Sequence, residues 1–204
     1  PVLWRLSDMW PFTGGCHYSG GCQKYISFCE DCPQCKKKWN YDLARSIFNK
    51  KLKHFYKNHL TIVSPSDWLA GHAKKSVLFS GCKVKVIPSA VDTNIFHPVD
   101  RRLSSNFFRI RSQDLVILFG AIGGISNKRK GSAHLLEAIL KISKKINKNI
   151  KFIMFGSEHS PAKFDGIEIK ALGHLHDDIS IVHAYSAASV FVAPSLEENL
   201  ANTV

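Results

Sequence analysis

No apolar run in this 204-residue chain approaches the ~20 residues of a membrane-spanning helix, so the sequence holds no candidate for one. The opening PVLWRLSDMW has neither a basic start nor a uniformly apolar stretch behind it, and does not read as a signal peptide. The phosphate-loop pattern GxxxxGK[ST] is missing and so is GxGxxG, which excludes the two commonest glycine-loop signatures. There is no DxD pair to hold a divalent metal. Internal repeats and low-complexity tracts are absent. With 45% hydrophobic and 22% charged residues, the composition excludes disordered and collagen-like classes. Acidic residues are scarce, 16 against 28 Lys+Arg.

The resulting net charge of +12 points to an anionic partner: nucleic acid, a phosphate-rich small molecule or an acidic membrane surface. A lysine-rich solvated surface accounts for the same excess, since much of it sits in runs such as the three lysines at 36–38. Cysteine is unevenly spent. Cys16, Cys22, Cys29, Cys32 and Cys35 crowd the first 35 residues, and Cys82 stands alone. A disulfide-stapled secreted domain spreads its cysteines, so disulfides are the weaker reading. Cys16, Cys22, Cys29 and Cys32 provide four thiolates with a CxxC pair, adequate for a tetrahedral structural zinc. Reduced structural cysteines are the alternative. Cys35 extends the run to CxxCxxC, but the fourth cysteine of an iron–sulfur run is absent. His17 reads as a hydrogen-bonding or packing group rather than a ligand.

Asp42 is placed to cap a helix over 42–57, with Leu43, Ile47, Leu52, Phe55 and Tyr56 toward the core and Lys50, Lys51, Lys53 and Lys57 elsewhere. LTIV (60–63) and VKVIP (84–88) read as strands around a helix that starts near Asp67 and carries Trp68, Leu69, Val77 and Leu78. Residues 89–112 show no sustained period and read as a linker. Beyond it, LVILFG (115–120), KFIMFG (151–156), IEIKALG (167–173) and VFVAPS (190–195) alternate with helices near 132–147 and 177–188. Near-continuous apolar strands between helices predict a parallel sheet covered on both faces, which binds ligands at the carboxyl ends of its strands. Gly120, Gly156, Gly173 and Ser195 all fall there. The tryptophans Trp4, Trp10, Trp39 and Trp68 read as core or cleft-wall aromatics.

The loop GAIGGISNKRKGS after the strand at 115–120 combines glycines, a helix start and the cations Lys128, Arg129 and Lys130, which suits a diphosphate. In PSLEENLANTV, Glu197 and Glu198 follow a buried strand. A carboxylate there accepts hydrogen bonds from a sugar diol, or simply favours a helix start.

Taken together, these segments resemble the family-4 retaining glycosyltransferases, most nearly bacterial enzymes of exopolysaccharide and colanic-acid type. The resemblance runs through DMWPFTGGCHYSGGC (8–22) with CEDCPQ (29–34), TIVSPSDWLA (61–70), VIPSAVDTNIFHP (86–98), LFGA…KRKGS and AYSAASVFVAPSLEENLANTV. It implies an α/β fold of two Rossmann-like domains (GT-B type), both incomplete in this chain. Residues 1–88 would be the later part of an N-terminal acceptor-side domain with a Cys-rich insertion. Residues 89–204 would be the linker and earlier part of a C-terminal nucleotide-sugar domain. By the same resemblance Glu198, Lys130 and Asp8 are the catalytic candidates. Gly120, Arg129, Lys130, Gly156, His174, Ser195, Glu198 and Asn199 are the donor-binding ones. Lys130 corresponds to the lysine on the donor diphosphate, where a fixed cation stabilises the leaving group. Glu198 corresponds to the first glutamate of the E-x7-E motif. No catalytic metal is implied. Ser7 stands where the family has histidine, Ala121 where it has arginine, and Leu200-Ala201 where it has Phe-Gly.

The function so implied is retaining glycosyl transfer from a nucleotide-sugar to a saccharide or lipid-linked saccharide in cell-surface polysaccharide synthesis. Its setting would be cytoplasmic, with peripheral contact to an anionic membrane through the lysines of the 42–57 helix. Two other classes compete. One is a zinc-stapled basic module for nucleic acid, disfavoured because the basic residues are dispersed and no nucleic-acid motif is present. The other is a glycosyltransferase-like protein that binds a donor without turnover, suggested by Ser7 and Ala121.

Overall fold

A computed structural model describes residues 1–35, 41–55, 59–158, 163–201 and 203. The lysine run at 36–38, Trp39, Tyr56 and Lys57 therefore lie outside the described residues. The chain divides into two compact units, one comprising Pro1–Ala90 and taking in the segment from Glu197, the other comprising Val91–Leu196 with Thr203.

The first unit is built on a three-stranded parallel sheet of β1 (Val2–Arg5), β2 (Leu60–Ser64) and β3 (Lys83–Val86), in that spatial order. Leu3 lies opposite Thr61, and Ile62 opposite Val84. β1 is a strand that periodicity missed, because Val2 and Leu3 are exposed and the segment lacks the run of buried β-branched residues that marks β2. Helix α1 (Leu43–Phe55) starts where Asp42 accepts the Arg45 N–H at 3.0 Å. Its inward face differs from the one expected. Ala44, Phe48 and Lys51, spaced i, i+4, i+7, are buried, while Leu43 is exposed and Ile47, Leu52 and Phe55 are only half-buried. Helix α2 (Asp67–Lys75) is capped by Ser66, whose hydroxyl accepts the Leu69 N–H at 3.2 Å. It ends at Lys75, so Val77 and Leu78 belong to a separate short turn (Val77–Phe79) and not to the helix. Leu6, Met9, Phe12, Tyr25, Phe48, Ile62, Leu69 and Phe79 form the core.

The second unit carries a five-stranded sheet. Its strands are β4 (Leu115–Gly120), β5 (Ile150–Phe155), β6 (Lys163–Phe164), β7 (Ile167–Ala171) and β8 (Val190–Phe191), ordered β6-β7-β5-β4-β8. All neighbours are parallel except β6, a two-residue antiparallel edge strand that carries no periodic signal of its own. Helix α4 (Ser132–Ser143) covers one face, with Leu135, Leu136 and Ile139 against Phe119, Phe152 and Met154. On the other face Val116, Leu118, Ile153 and Phe155 meet Ala184 of α5 (Asp178–Ala187). This is the parallel sheet covered on both faces that alternating apolar strands demand.

The supposed linker at 89–112 contains a helix, α3 (Arg101–Phe107). Asp100 caps it, accepting the Leu103 N–H at 2.9 Å, and the helix buries Ser104 and Ser105 rather than large apolar residues. A helix held by a cap and small residues leaves no apolar period to read. Strand β8 stops at Phe191, well short of Ser195, although the Val192 N–H still donates to Leu118 O at 2.9 Å.

Candidate functional site

In the second unit the strand exits are stitched together by main chain. Ala121 N–H donates to Phe155 O at 3.1 Å, Gly123 N–H to Gly156 O at 3.0 Å, and Gly156 N–H to Gly173 O at 2.8 Å. The bare Cα atoms here serve close packing. A Cβ on Gly120 would lie 2.3 Å from the Phe155 ring, and one on Gly156 would lie 2.4 Å from the Ala121 carbonyl. Gly120 and Gly156 thus bring the ends of β4 and β5 together and leave the following loop to face outward. His174 follows directly, its N–H donating to a Glu158 carboxylate oxygen at 3.1 Å.

Lys128, Arg129 and Lys130 form a single tight turn, and Gly131 (φ 72°) carries the chain from it into α4. Glycine is required there on two counts: the backbone is left-handed, and a Cβ would meet the Pro194 carbonyl at 2.0 Å. The Leu196 N–H donates to Arg129 O at 2.8 Å. Pro194 and Leu196 therefore clamp the cationic turn from both sides of Ser195, and Arg129, Lys130 and Ser195 share one corner of the unit. Gly131, the residue that precedes α4, has no side chain with which to cap it. A basic turn at a helix start, at the carboxyl end of a parallel sheet, suits an anion.

The remaining candidates lie in the first unit, including Glu198 and Asn199, which a sequence division at residue 88 puts with the second half. Tyr18 donates its hydroxyl to Glu198 at 2.7 Å, while Ser19 Oγ and Gly20 N–H donate to Glu197 at 3.0 and 2.8 Å. Asn199 bridges Ser7 and Ser66: its amide donates to Ser7 O at 3.0 Å, and its carbonyl accepts the Ser66 hydroxyl at 2.7 Å. Asp8 accepts the Trp10 N–H with one oxygen and holds His17 Nδ1 at 2.7 Å with the other. Asp8 is thereby paired with His17, while Glu198 and Asn199 form a second hydrogen-bonded set with Tyr18, Ser7 and Ser66. Glu197, which the motif register sets aside, is as firmly held as Glu198.

Lys51 is a structural anchor of the Trp10–Thr13 loop that sequence reading missed. Only 7% exposed, it donates to Trp10 O and to Thr13 O (3.0 Å) and sits 3.8 Å from the centre of the Trp10 ring. Burial pushes its ammonium down to about 8. In a lysine-rich helix nothing in the sequence distinguishes it from Lys50 or Lys53.

Among the described residues no group of three or more His, Cys, Asp or Glu is disposed to hold a metal ion. The four cysteines read as zinc ligands, Cys16, Cys22, Cys29 and Cys32, are free thiols. Burial raises Cys16 and pushes Cys29 up to about 11, although Cys29 Sγ accepts the Gly14 N–H at 3.2 Å.

Residues 116–204 match the family model described as glycosyl transferases group 1. No curated protein matches the sequence. Among solved structures, the chain is similar to sucrose-phosphate synthase from Thermosynechococcus elongatus. They share 17% identity at a TM-score of 0.53, over 70% of this chain and 36% of that one. It is also similar to HepE from Anabaena, solved in complex with UDP and glucose. There the identity is 13% and the TM-score 0.57, over 98% of this chain and 47% of that one. At these identities the likeness is one of fold, and the chain spans less than half the length of either structure. The α/β architecture is that of the GT-B fold, and residues 116–204 are similar to the group 1 glycosyl transferases. The cationic turn, Gly131, α4 and Ser195 all lie inside the matched glycosyl transferase segment.

Proposed function

We propose that the protein transfers a sugar, with retention, from a nucleotide-sugar to a saccharide or lipid-linked saccharide in the synthesis of a cell-surface polysaccharide of colanic-acid type. The observation that carries the reading is the Lys128–Lys130 turn clamped beside the start of α4, within the segment that matches the group 1 glycosyl transferases. That corner meets the needs of a nucleoside diphosphate. Amide N–H groups and a helix dipole favour the anion, and Lys130 and Arg129 supply positive charge where the departing phosphate accumulates negative charge. The complex of HepE with UDP and glucose supports a nucleotide-sugar as the donor class. Carboxylates suit sugar hydroxyls, and Glu198 takes that role by its match to the family's glutamate.

The family-4 assignment rests on the motif DMWPFTGGCHY and on Glu198. The proposed setting is cytoplasmic, at the inner face of the membrane. No helix among the described residues is long and apolar enough to cross a bilayer. Contact with anionic lipid would come from exposed Lys50 and Lys53 of α1, since Lys51 is turned inward.

The test is calorimetric titration of the intact protein with UDP-, ADP- and GDP-sugars. Saturable binding of at least one is expected, weakened about 10- to 100-fold in Lys130→Ala by loss of a charge-assisted contact. Absence of binding to every nucleotide-sugar refutes the proposal.

A further inference from the structure

Residues 32–35, Cys-Pro-Gln-Cys, close a single turn within the first unit. The Cys35 N–H donates to Cys32 O at 3.1 Å, and Pro33 stands second in the turn, where its fixed φ suits that position. A four-residue turn brings its end Cα atoms within about 7 Å of each other. Disulfides usually join Cα atoms about 4.4–6.8 Å apart, so the backbone already meets that requirement. The side chains meet as well, since the Cys32 and Cys35 thiols share a hydrogen bond. Cys35 is exposed and Cys32 half-buried, so a reagent in solution reaches the outer sulfur first. The entrance to the turn is anchored. Lys24 Nζ donates to Glu30 O at 2.9 Å and to Asp31 O at 3.1 Å, and the Asp31 N–H donates to Asp42 at 2.6 Å. Joining the two sulfurs therefore asks for side-chain rotation rather than movement of the chain.

Between the two cysteines, Gln34 braces the segment that holds the glutamates. Its Nε2 donates to Tyr18 O at 2.8 Å, and it lies 3.3 Å from where a Cβ on Gly20 would stand. Tyr18 in turn donates to Glu198, and the Gly20 N–H to Glu197. A covalent bond across 32–35 would hold that brace in place.

We propose that Cys32 and Cys35 are a reversible redox pair, joined by a small-molecule disulfide and parted by thiols, and that the joined form fixes Gln34 on Tyr18. The Cys35 thiolate attacks one sulfur of the small disulfide, so that a mixed disulfide forms and one small thiolate leaves. The Cys32 thiolate then attacks the Cys35 sulfur, forming the intrachain bond and releasing the second small thiolate. The protein gives up two electrons and two protons, and the reagent takes both and ends as two thiols. This pair does not depend on the glycosyl-transfer reading.

The experiment treats the reduced, intact protein with oxidised glutathione in mildly alkaline buffer, blocks the remaining thiols with iodoacetamide and maps the peptides by mass. One bond linking Cys32 to Cys35 is expected, with its loss on adding dithiothreitol. Cys32→Ser should stop at the mixed disulfide on Cys35, which shows the order of attack. Amide hydrogen exchange reads the brace: the Gly20 N–H should exchange roughly tenfold more slowly in the oxidised protein than in the reduced one. In Gln34→Ala that difference should vanish. Absence of a Cys32–Cys35 bond, or a bond from either residue to Cys16, Cys22 or Cys29 in its place, overturns the pair. Equal Gly20 exchange in the two states overturns the brace. Both of these readouts come from the wild type, so a variant that fails to fold leaves the test intact.

Discussion

Lys51→Met isolates the buried ammonium. In the folded chain Lys51 loses its proton near pH 8, and in the unfolded chain near 10.5. Between those values unfolding takes up a proton, so stability rises with pH across the window. The charged lysine carries its full burial cost below about pH 8 and sheds it by about pH 10.5. The shift corresponds to about 3 kcal/mol at 1.36 kcal/mol per pH unit, the upper end of the expected change. Two carbonyls and the Trp10 face stabilise the charged form and pull the value toward about 2 kcal/mol. Methionine keeps most of the aliphatic volume but leaves the Trp10 and Thr13 carbonyls without their donor, so the variant should be the less stable protein at pH 7. Urea unfolding of both proteins at half-unit steps from pH 7 to 10.5 gives the stability difference at each pH, and other titrating groups cancel in that difference. The wild type should gain about 2–3 kcal/mol on the variant over the window. A difference that is flat with pH, or that shrinks as pH rises, refutes a buried charged Lys51.

Gly131→Ala should cost about 2–4 kcal/mol, from the left-handed backbone together with the collision on Pro194 O, by thermal or urea unfolding. Gly166→Ala is the control: it has a similar φ of 83° with nothing within 4 Å of the added Cβ, and should cost only about 1–2 kcal/mol. Asp100→Ala removes the α3 cap and should destabilise by about 1 kcal/mol, with Asp100→Asn closer to wild type. With its thiol pushed up to about 11, Cys29 is about one part in a thousand thiolate at pH 8. Iodoacetamide should label it after exposed Cys35, and equal rates would contradict its burial. Protein purified without chelators should carry well under one zinc per chain, and a full equivalent would show that the cysteines converge on a metal.

The sequence alone was enough for the four parallel strands of the second unit and the helices α4 and α5 that cover them. Strands such as LVILFG, apolar on every residue, can be accommodated only where both faces are covered, and the helix between β4 and β5 declares itself by its apolar period. The motif residues of the cationic turn and Asp8 were legible for a related reason, since charge and glycine at a strand exit or loop are exceptional. What stayed hidden lacked a local signature. Strand β1 and edge strand β6 exist because neighbours offer ladder partners, and α3 because Asp100 caps it and α5 supports it. Tertiary packing alone turned Lys51 inward while leaving Lys50 and Lys53 in water, since which face of α1 is buried depends on what it meets. The pairing of Asp8 with His17, and of Glu198 with Tyr18, spans 9 and 180 residues. Composition and spacing name the residue types that can do chemistry, but a contact between segments so far apart is decided only when the chain folds back and a carboxylate finds its donor.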